Sequence, residues 1–515
     1  MKRILHIHWP ALLVMFIAVV IALTSFKDYG ITWDECWQRD IGHQYYTYMH
    51  GNNPGFNNYL ERDHGSGFEV PLIYIENWFK LTDSRDIFLM RHLVNHCFFL
   101  LCMFIGYIFI YRTFKNKWLA VAALIALVFH PRIYAHSYFN TKDIPAMSTF
   151  LLSMAAGLWA LEKKKIFPFI VLGIVCGYSA SIRLMNVFII VPLFILLIAD
   201  VIKTLRSKQG ISNIILGASA GIITFCITLY ICWPTLWGNP VHNLVDAYKS
   251  LSNFRFTGEV LFNGTVYAAG TLPWNYIITW VILSTPELLL ILALVGTTLL
   301  LTELIRQPYS IFTDERKRLL LVSFICFFTP ILIVELLDSV LYDDWRHMYF
   351  IYPAFVFIAV YGLHTLLSTH LKKVVAVLFF AQVALTGFFF IQSHPYQQVY
   401  FNRLISHKPG HIGKLYEMEY WGASNKEALE WVLANDTSDT ISIFNMATVN
   451  FNRLILPEEQ RNRLSYTSEM TEADYYIQNY RTLPFWDAKT EIPTAQVVHE
   501  VEVLNCPIIR ITKLK

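Results

Sequence analysis

Eleven apolar runs punctuate the first 391 residues, too many and too regular for a core enclosed in water. They fall at Trp9–Phe26, Leu93–Tyr111, Trp118–Phe129, Ile144–Leu161, Ile166–Tyr178, Met185–Val201, Ile214–Trp233, Pro286–Leu304, Leu319–Leu337, Tyr349–Leu367 and Val374–Ile391. A helix needs about 20 predominantly apolar residues to cross a bilayer. The third and fifth runs are short by that measure, and the charges flanking them carry their assignment as spans. Charged residues make up only 15% of the chain, against about a quarter in soluble domains. The expected class is therefore a polytopic α-helical membrane protein. A net charge of +3 is too small to suggest a nucleic-acid partner.

The basic residues are sorted by side. One alternate set of loops holds Lys2 and Arg3; Arg112, Lys115 and Lys117; Lys163, Lys164 and Lys165; Lys203, Arg206 and Lys208; Arg306, Arg316, Lys317 and Arg318; Lys372 and Lys373. The short loops of the other set hold only Arg132, Lys142, Arg183, Lys249, Arg255 and Arg346. Lys and Arg accumulate on the cytoplasmic side, so the N-terminus is expected inside and the C-terminus outside. The run after Lys2 and Arg3 lacks a small-x-small cleavage site and reads as an uncleaved first span. The expected home is a membrane crossed many times, with the N-terminus on its cytoplasmic side. None of the eight cysteines forms a CxxC pair, and most sit in apolar runs as small hydrophobes. A Cys36–Cys506 bridge is the one pairing an oxidising compartment would allow, and free thiols are favoured over it.

Residues 1–391 form the membrane domain, with outer loops at 27–90 and 234–273. Val70–Leu81, with Glu76 and Lys80 on its polar side, reads as an interfacial helix, and Trp274–Leu283 as an interfacial or half-buried one. Residues 392–515 have ordinary charge density and read as a small extracytoplasmic α/β domain. There Ser424–Asn435 is a helix with Ser424 and Glu427 as a capping box. Thr440–Asn445, Asp474–Tyr480, Val497–Leu504 and Ile508–Leu514 have strand patterns.

The ionisable residues gather on the outer face. Thr32-Trp33-Asp34-Glu35 follows the first span, with Arg39 close behind. The second outer loop carries Arg132, His136, Lys142 and Asp143. Arg183 lies between the fifth and sixth spans, and Asp344-Trp345-Arg346-His347 precedes the tenth. Each has a plainer reading: Asp143 as a helix-capping acid, Arg183 as a snorkelling cation, Arg346 as an interface anchor. His92, Asn95 and His96 read as hydrogen-bonding groups of the bundle. Acids beside hydrocarbon cost about 2.5–3.5 kcal/mol at mid-span, and so many polar groups on one face favour chemistry there. Sugar transfer from a polyprenyl phosphate fits: the departing phosphate needs cations and the acceptor hydroxyl needs one carboxylate as base. A single displacement of that kind inverts the anomeric carbon. Lys142, Arg183, Arg346, His347 and Arg132 are the candidate phosphate ligands, and Asp34 the base. His136 and Arg39 are further candidates for the pocket.

Asp34-Glu35, Arg132…His136…Asn140-Thr141-Lys142-Asp143-Ile144-Pro145, and Asp344-Trp345-Arg346-His347 resemble the motifs of bacterial type-C (GT-C) glycosyltransferases. The similarity is to the protein O-mannosyltransferase-like and aminoarabinose-transferase-like membrane enzymes. Tyr416-Glu417-Met418-Glu419-Tyr420-Trp421-Gly422 also looks like the segment that follows the last span in bacterial members. The resemblance implies a GT-C fold of about eleven spans, a lipid-phosphate sugar donor, an extracytoplasmic site, and an acceptor hydroxyl on a glycan, lipid or protein. By position it assigns the first-loop acid to Asp34, with Glu35 beside it, and the second-loop acid to Asp143. It leaves a divalent metal open, since members differ in needing one and no ligand set stands out here. A C-terminal domain of this size puts a protein acceptor in doubt. A transporter or flippase of a lipid-linked saccharide would place charges near mid-bilayer on broken helices in repeated halves, and no such repeat is visible. A ligase for a preassembled glycan is the other alternative.

Overall fold

Each apolar run becomes a helix in the computed structural model, which describes residues 2–207, 211–252, 256–444, 447–481 and 495–515. Lys208, Arg255 and Asn445, used above for sidedness and for a strand, lie outside the described residues. Among the described residues nine helices are long and apolar enough to cross a membrane. The two short runs explain themselves. Lys117–Val128 breaks at His130-Pro131 and continues, bent by 60°, as Pro131–Phe139. The proline opens the second piece, where its missing N–H leaves no helical bond unmade. Ile166–Ile182 is a 17-residue apolar helix that stops at Arg183, whose backbone is extended.

Helix burial sorts the bundle into centre and periphery. Asp143–Lys163 and Arg346–Leu366 are 72% and 78% buried over their apolar windows, whereas Ser212–Cys232 and Lys372–Gln392 are 17% and 11% buried. The outer two present Ile222, Ile223, Phe380 and Ile391 outward, as lipid contact demands. Lipid supplies no hydrophobic drive between helices, so close approach of small residues does the work. At Gly173 a Cβ would lie 2.2 Å from the Gly221 carbonyl oxygen of the neighbouring helix.

The first outer loop folds into helices Trp33–Met49 and Glu69–Trp78. Glu76 is not on a polar outer side as the sequence suggested; it is buried and receives Arg39 at 2.5 Å. Exposed Trp78 and Phe79 keep the interfacial character of that helix. The second loop pairs β1 (Glu259–Phe262) with β2 (Thr265–Ala268) and then enters helix Tyr276–Ser284, half-buried through Tyr276, Ile277 and Trp280.

Beyond residue 392 a five-stranded sheet forms from β3 (Ile441–Phe444), β4 (Leu464–Thr467), β5 (Tyr475–Asn479), β6 (Gln496–Val503) and β7 (Cys506–Lys513). The order is β4-β3-β5-β7-β6, parallel on the β4-β3-β5 side and antiparallel across β5-β7-β6. Ala428, Leu429 and Val432 of helix Asn425–Asn435 pack on Ile443, Ile477 and Ile511. β4 escaped the sequence reading because it is only four residues long, too short for its alternation to stand out after the charged stretch Glu458–Asn462. The expected capping box is not formed: Ser424 is already helical, and Glu427 instead accepts from the Tyr396 hydroxyl. Cys36 and Cys506 are free thiols.

The domain is tied to the first outer loop. Asn452 donates to the Ile31 and Gly422 carbonyls and accepts from the Ile31 N–H, all at 2.8–2.9 Å. Gly30 makes this seam possible, since a Cβ there would lie 2.1 Å from the Ala423 carbonyl oxygen and 2.4 Å from Asn452 Oδ1. Gly30→Val is expected to cost about 2 kcal/mol or more of stability, read as a lower melting temperature and faster proteolysis of residues beyond 392.

Candidate functional site

The site is assembled around the turn Tyr342–Arg346. Asp343 and Asp344 both take left-handed backbone angles, φ 56° and 61°, a conformation that costs non-glycine residues of order 1–3 kcal/mol when imposed by surroundings. The turn aims the two carboxylates at different arginines. Asp343 receives Arg346 Nη2 at 2.9 Å and Arg481 at 2.5 Å. Asp344 receives Arg132 at 2.9 Å, with the hydroxyls of Tyr349 and Tyr420 donating to the same oxygen.

Arg346 is 4% exposed and makes the central junction. Its Nη1 lies 3.0 Å from Asp34 and 3.5 Å from Asp143, while its guanidinium stacks on Tyr342 and Trp421, with ring centroids at 5.0 and 4.6 Å. Asp143, the first residue of its helix, also binds Arg183. Arg183 in turn reaches the His347 carbonyl at 3.5 Å. So Asp34 from the first loop, Asp143 from the second, Arg183 and Arg346 form one chain of contacts. Asp34 is 40% exposed, the most open acid of the group, and its Oδ1 makes no bond among the described residues.

Beside this chain lies a cavity of about 580 Å³ lined by Lys142, Arg183, His64 and His347 at its polar end. Ile333, Val334, Leu337, Leu341 and Met185 form much of the rest. Lys142 approaches His64 Nδ1 at 3.2 Å. Burial, with Arg183 nearby, pulls the Lys142 ammonium down to about 8. Burial likewise pushes the Asp344 carboxyl up, against the pull of Arg132, and raises Glu417, which faces Arg481 at 3.8 Å.

Four expected participants are committed elsewhere. Glu35 is fully buried: one oxygen accepts from the Thr32 N–H at 2.8 Å in a capping box, and the other meets His92 at 2.7 Å. It is a brace for the helix that carries Asp34, which corrects its assignment as a catalytic acid. Arg39 is taken by Glu76, and Arg132 is enclosed between Trp280 and Phe401 against Asp344, so neither faces the cavity. His136 accepts from the Trp421 indole at 3.0 Å and stiffens the ring that supports Arg346. His92, Asn95 and His96 hydrogen-bond within the bundle as expected. Asp343, Arg481, His64 and Trp421 belong to the site without having been singled out for it. Asp343 had a visible signal, its place three residues before Arg346, and Arg481 had none.

Among the described residues no group of three or more His, Cys, Asp or Glu side chains is placed to hold a metal ion. Asp34, Asp143 and Asp343 each already face an arginine.

Residues 85–231 match a family model described as dolichyl-phosphate-mannose-protein mannosyltransferase. The resemblance drawn from the sequence is borne out over that segment, which contains Lys142, Asp143 and Arg183 and excludes Asp34 and Arg346. No curated protein sequence matches the chain. Among solved structures, the oligosaccharyltransferase of Archaeoglobus fulgidus aligns with 92% of this chain and 70% of its own, at 10% identity and a TM-score of 0.47. ArnT from Cupriavidus metallidurans aligns with 98% of this chain and 97% of its own, at 12% identity and a TM-score of 0.40. The same protein bound to undecaprenyl phosphate gives 98% of both chains, 11% identity and a TM-score of 0.38.

Replacing Arg346 by Met leaves three acids facing a vacated guanidinium site. The expected loss is about 3–5 kcal/mol, the usual cost of removing one partner from a buried ion pair, measured by thermal unfolding in detergent. Glu35→Gln is expected to lower the melting temperature through its cap and His92 contact, whereas Asp34→Asn, at a half-open position, should leave it nearly unchanged.

Proposed function

We propose that the protein is an inverting glycosyltransferase that takes a sugar from a polyprenyl-phosphate donor and passes it to an acceptor hydroxyl at the outer face of a bacterial inner membrane. The observation that carries this reading is a half-exposed carboxylate joined through Arg346 and Asp143 to a cationic, apolar-walled cavity. The family model over residues 85–231 supports the same donor class. The apolar wall suits a prenyl tail, and Lys142 and Arg183 suit its phosphate.

In the reaction Asp34 accepts the proton of the acceptor hydroxyl as that oxygen attacks the anomeric carbon. The bond from that carbon to the phosphate oxygen breaks, and its electron pair leaves with the polyprenyl phosphate. Lys142 and Arg183 absorb the charge that develops there, so the leaving group needs no proton. Arg346 fixes Asp34 through Oδ2 and leaves Oδ1 for the hydroxyl. Attack from the face opposite the phosphate inverts the configuration. The distribution of Lys and Arg supports a site and a C-terminal domain outside the cytoplasm.

Asp34→Asn should lower turnover by about 10²- to 10⁴-fold, the usual contribution of a general base, and leave donor binding intact. The assay is consumption of polyprenyl-phosphate sugars by purified protein, and wild-type turnover by the variant would overturn the reading. Because the Lys142 ammonium ionises near 8, its charge is full below that pH and lost above it. Donor affinity is therefore expected to weaken as pH rises through about 8, and Lys142→Arg should remove the inflection.

A further inference from the structure

A second cavity, of about 510 Å³, opens at the end of the bundle opposite Asp34, where helices Ser84–Phe114, Asp143–Lys163, Ile166–Ile182 and Glu315–Leu336 part. Helix Asp143–Lys163 starts in the site and carries Glu162 of this cavity's wall at its other end, about 28 Å away at 1.5 Å per residue. The two cavities are thus on opposite faces of the membrane, and the second is on the face where Lys and Arg accumulate.

Its walls are apolar: Ile108, Phe109, Leu152, Leu158, Val171 and Val175, with Ala155 and Ala156 keeping space open between them. Ile108 and its neighbour Leu101 are 42% and 58% exposed on the same helix, so the cleft adjoins hydrocarbon. Its polar end carries Arg112, Lys115 and Arg318 beside Glu162 and Glu315. Arg112 is held by Glu162 at 2.8 Å. Arg318 holds Asp200 at 2.5 Å through Nη2, and its buried Nε has no acceptor. Lys115 closes its helix in the left-handed conformation, φ 53°, and pairs with no acid among the described residues. An apolar cleft open to lipid thus ends at a buried donor without an acceptor and an exposed ammonium with no acid against it among the described residues.

We propose that this cavity is a binding site for an anionic phospholipid of the inner leaflet. One acyl chain lies along the Ala155 floor, and the phosphodiester oxygens accept from Lys115 and the Arg318 Nε–H. Basic pockets between helices on the cytoplasmic side are suited to such headgroups. A zwitterionic lipid brings its own ammonium beside the phosphate, which Lys115 and Arg112 repel. Of the two acids only Glu315 is free to attract it, Glu162 being held by Arg112 and Lys163; an anionic lipid adds no such cation. A free phosphate ion would leave the apolar walls uncovered. The site is independent of the glycosyltransferase reading, since it touches none of the residues assigned there.

The test is native mass spectrometry of the full-length protein released from mixed micelles of phosphatidylglycerol and phosphatidylcholine. Wild-type protein is expected to retain phosphatidylglycerol several-fold over phosphatidylcholine. Lys115→Gln should abolish that preference, and Ala155→Phe, which fills the floor without changing charge, should lower retention of both lipids. Melting temperatures within a few degrees of wild type confirm that the variants fold, as expected for positions at or near the lipid surface. Equal retention of the two lipids by the wild type, a preference that survives Lys115→Gln, or undiminished lipid retention by Ala155→Phe overturns the proposal.

Discussion

One guanidinium, that of Arg346, sits among three carboxylates with almost no access to water. Burying a lone charge of either sign is prohibitive, and burying this cluster is tolerable only because every acid has a cation against it. Arginine suits the task for geometric reasons. Its planar fork presents several N–H groups in fixed directions, and its faces stack on Tyr342 and Trp421. A lysine has one point charge and no face. The first outer loop, the helix opened by Asp143, the turn before the tenth span and the segment after the last one are all fixed relative to each other through this side chain.

The adjacent aspartates at 343 and 344 divide the labour. Asp344 is fully buried and anchors Arg132 with two tyrosine hydroxyls, a support that stays out of contact with the cavity. Asp343 faces the other way and is shared by Arg346 and Arg481, so a residue of the C-terminal domain takes part in setting the charge around Asp34. The strained backbone of the turn is offset by these two pairs. Asp343 has two arginines against it, and Asp344 has Arg132 together with two hydroxyls, so each left-handed residue is held from more than one side.

Sequence reading located the bundle well because lipid imposes a simple rule: long apolar runs, flanked by charge on the correct side. All eleven runs are helices, down to the two short ones. The clustering of polar residues was also legible, as Asp34, Lys142, Asp143, Arg183, Arg346 and His347 are gathered near one cavity. What composition and spacing did not reveal is which polar residues are internal braces. Glu35 and Asp34 are neighbours in sequence with opposite fates, because a helix N-terminus turns one toward Thr32 and His92 and leaves the other outside. Arg132 and Arg346 both precede or open helices, and only the folded aromatic walls around Arg132 distinguish them. Arg481 was invisible because its partner is 138 positions away, and no local pattern encodes such a contact.

Asn452 has a consequence for the order in which the molecule becomes complete. It grips both backbone groups of Ile31 across 421 positions of chain. During synthesis the first span and its trailing loop emerge early and Glu35 can meet His92 soon after, yet the Ile31 backbone waits for Asn452 to be made. The helical bundle can therefore be threaded into the bilayer before the backbone on the near side of Asp34 is gripped, and the segment carrying Asn452 works as a latch on it.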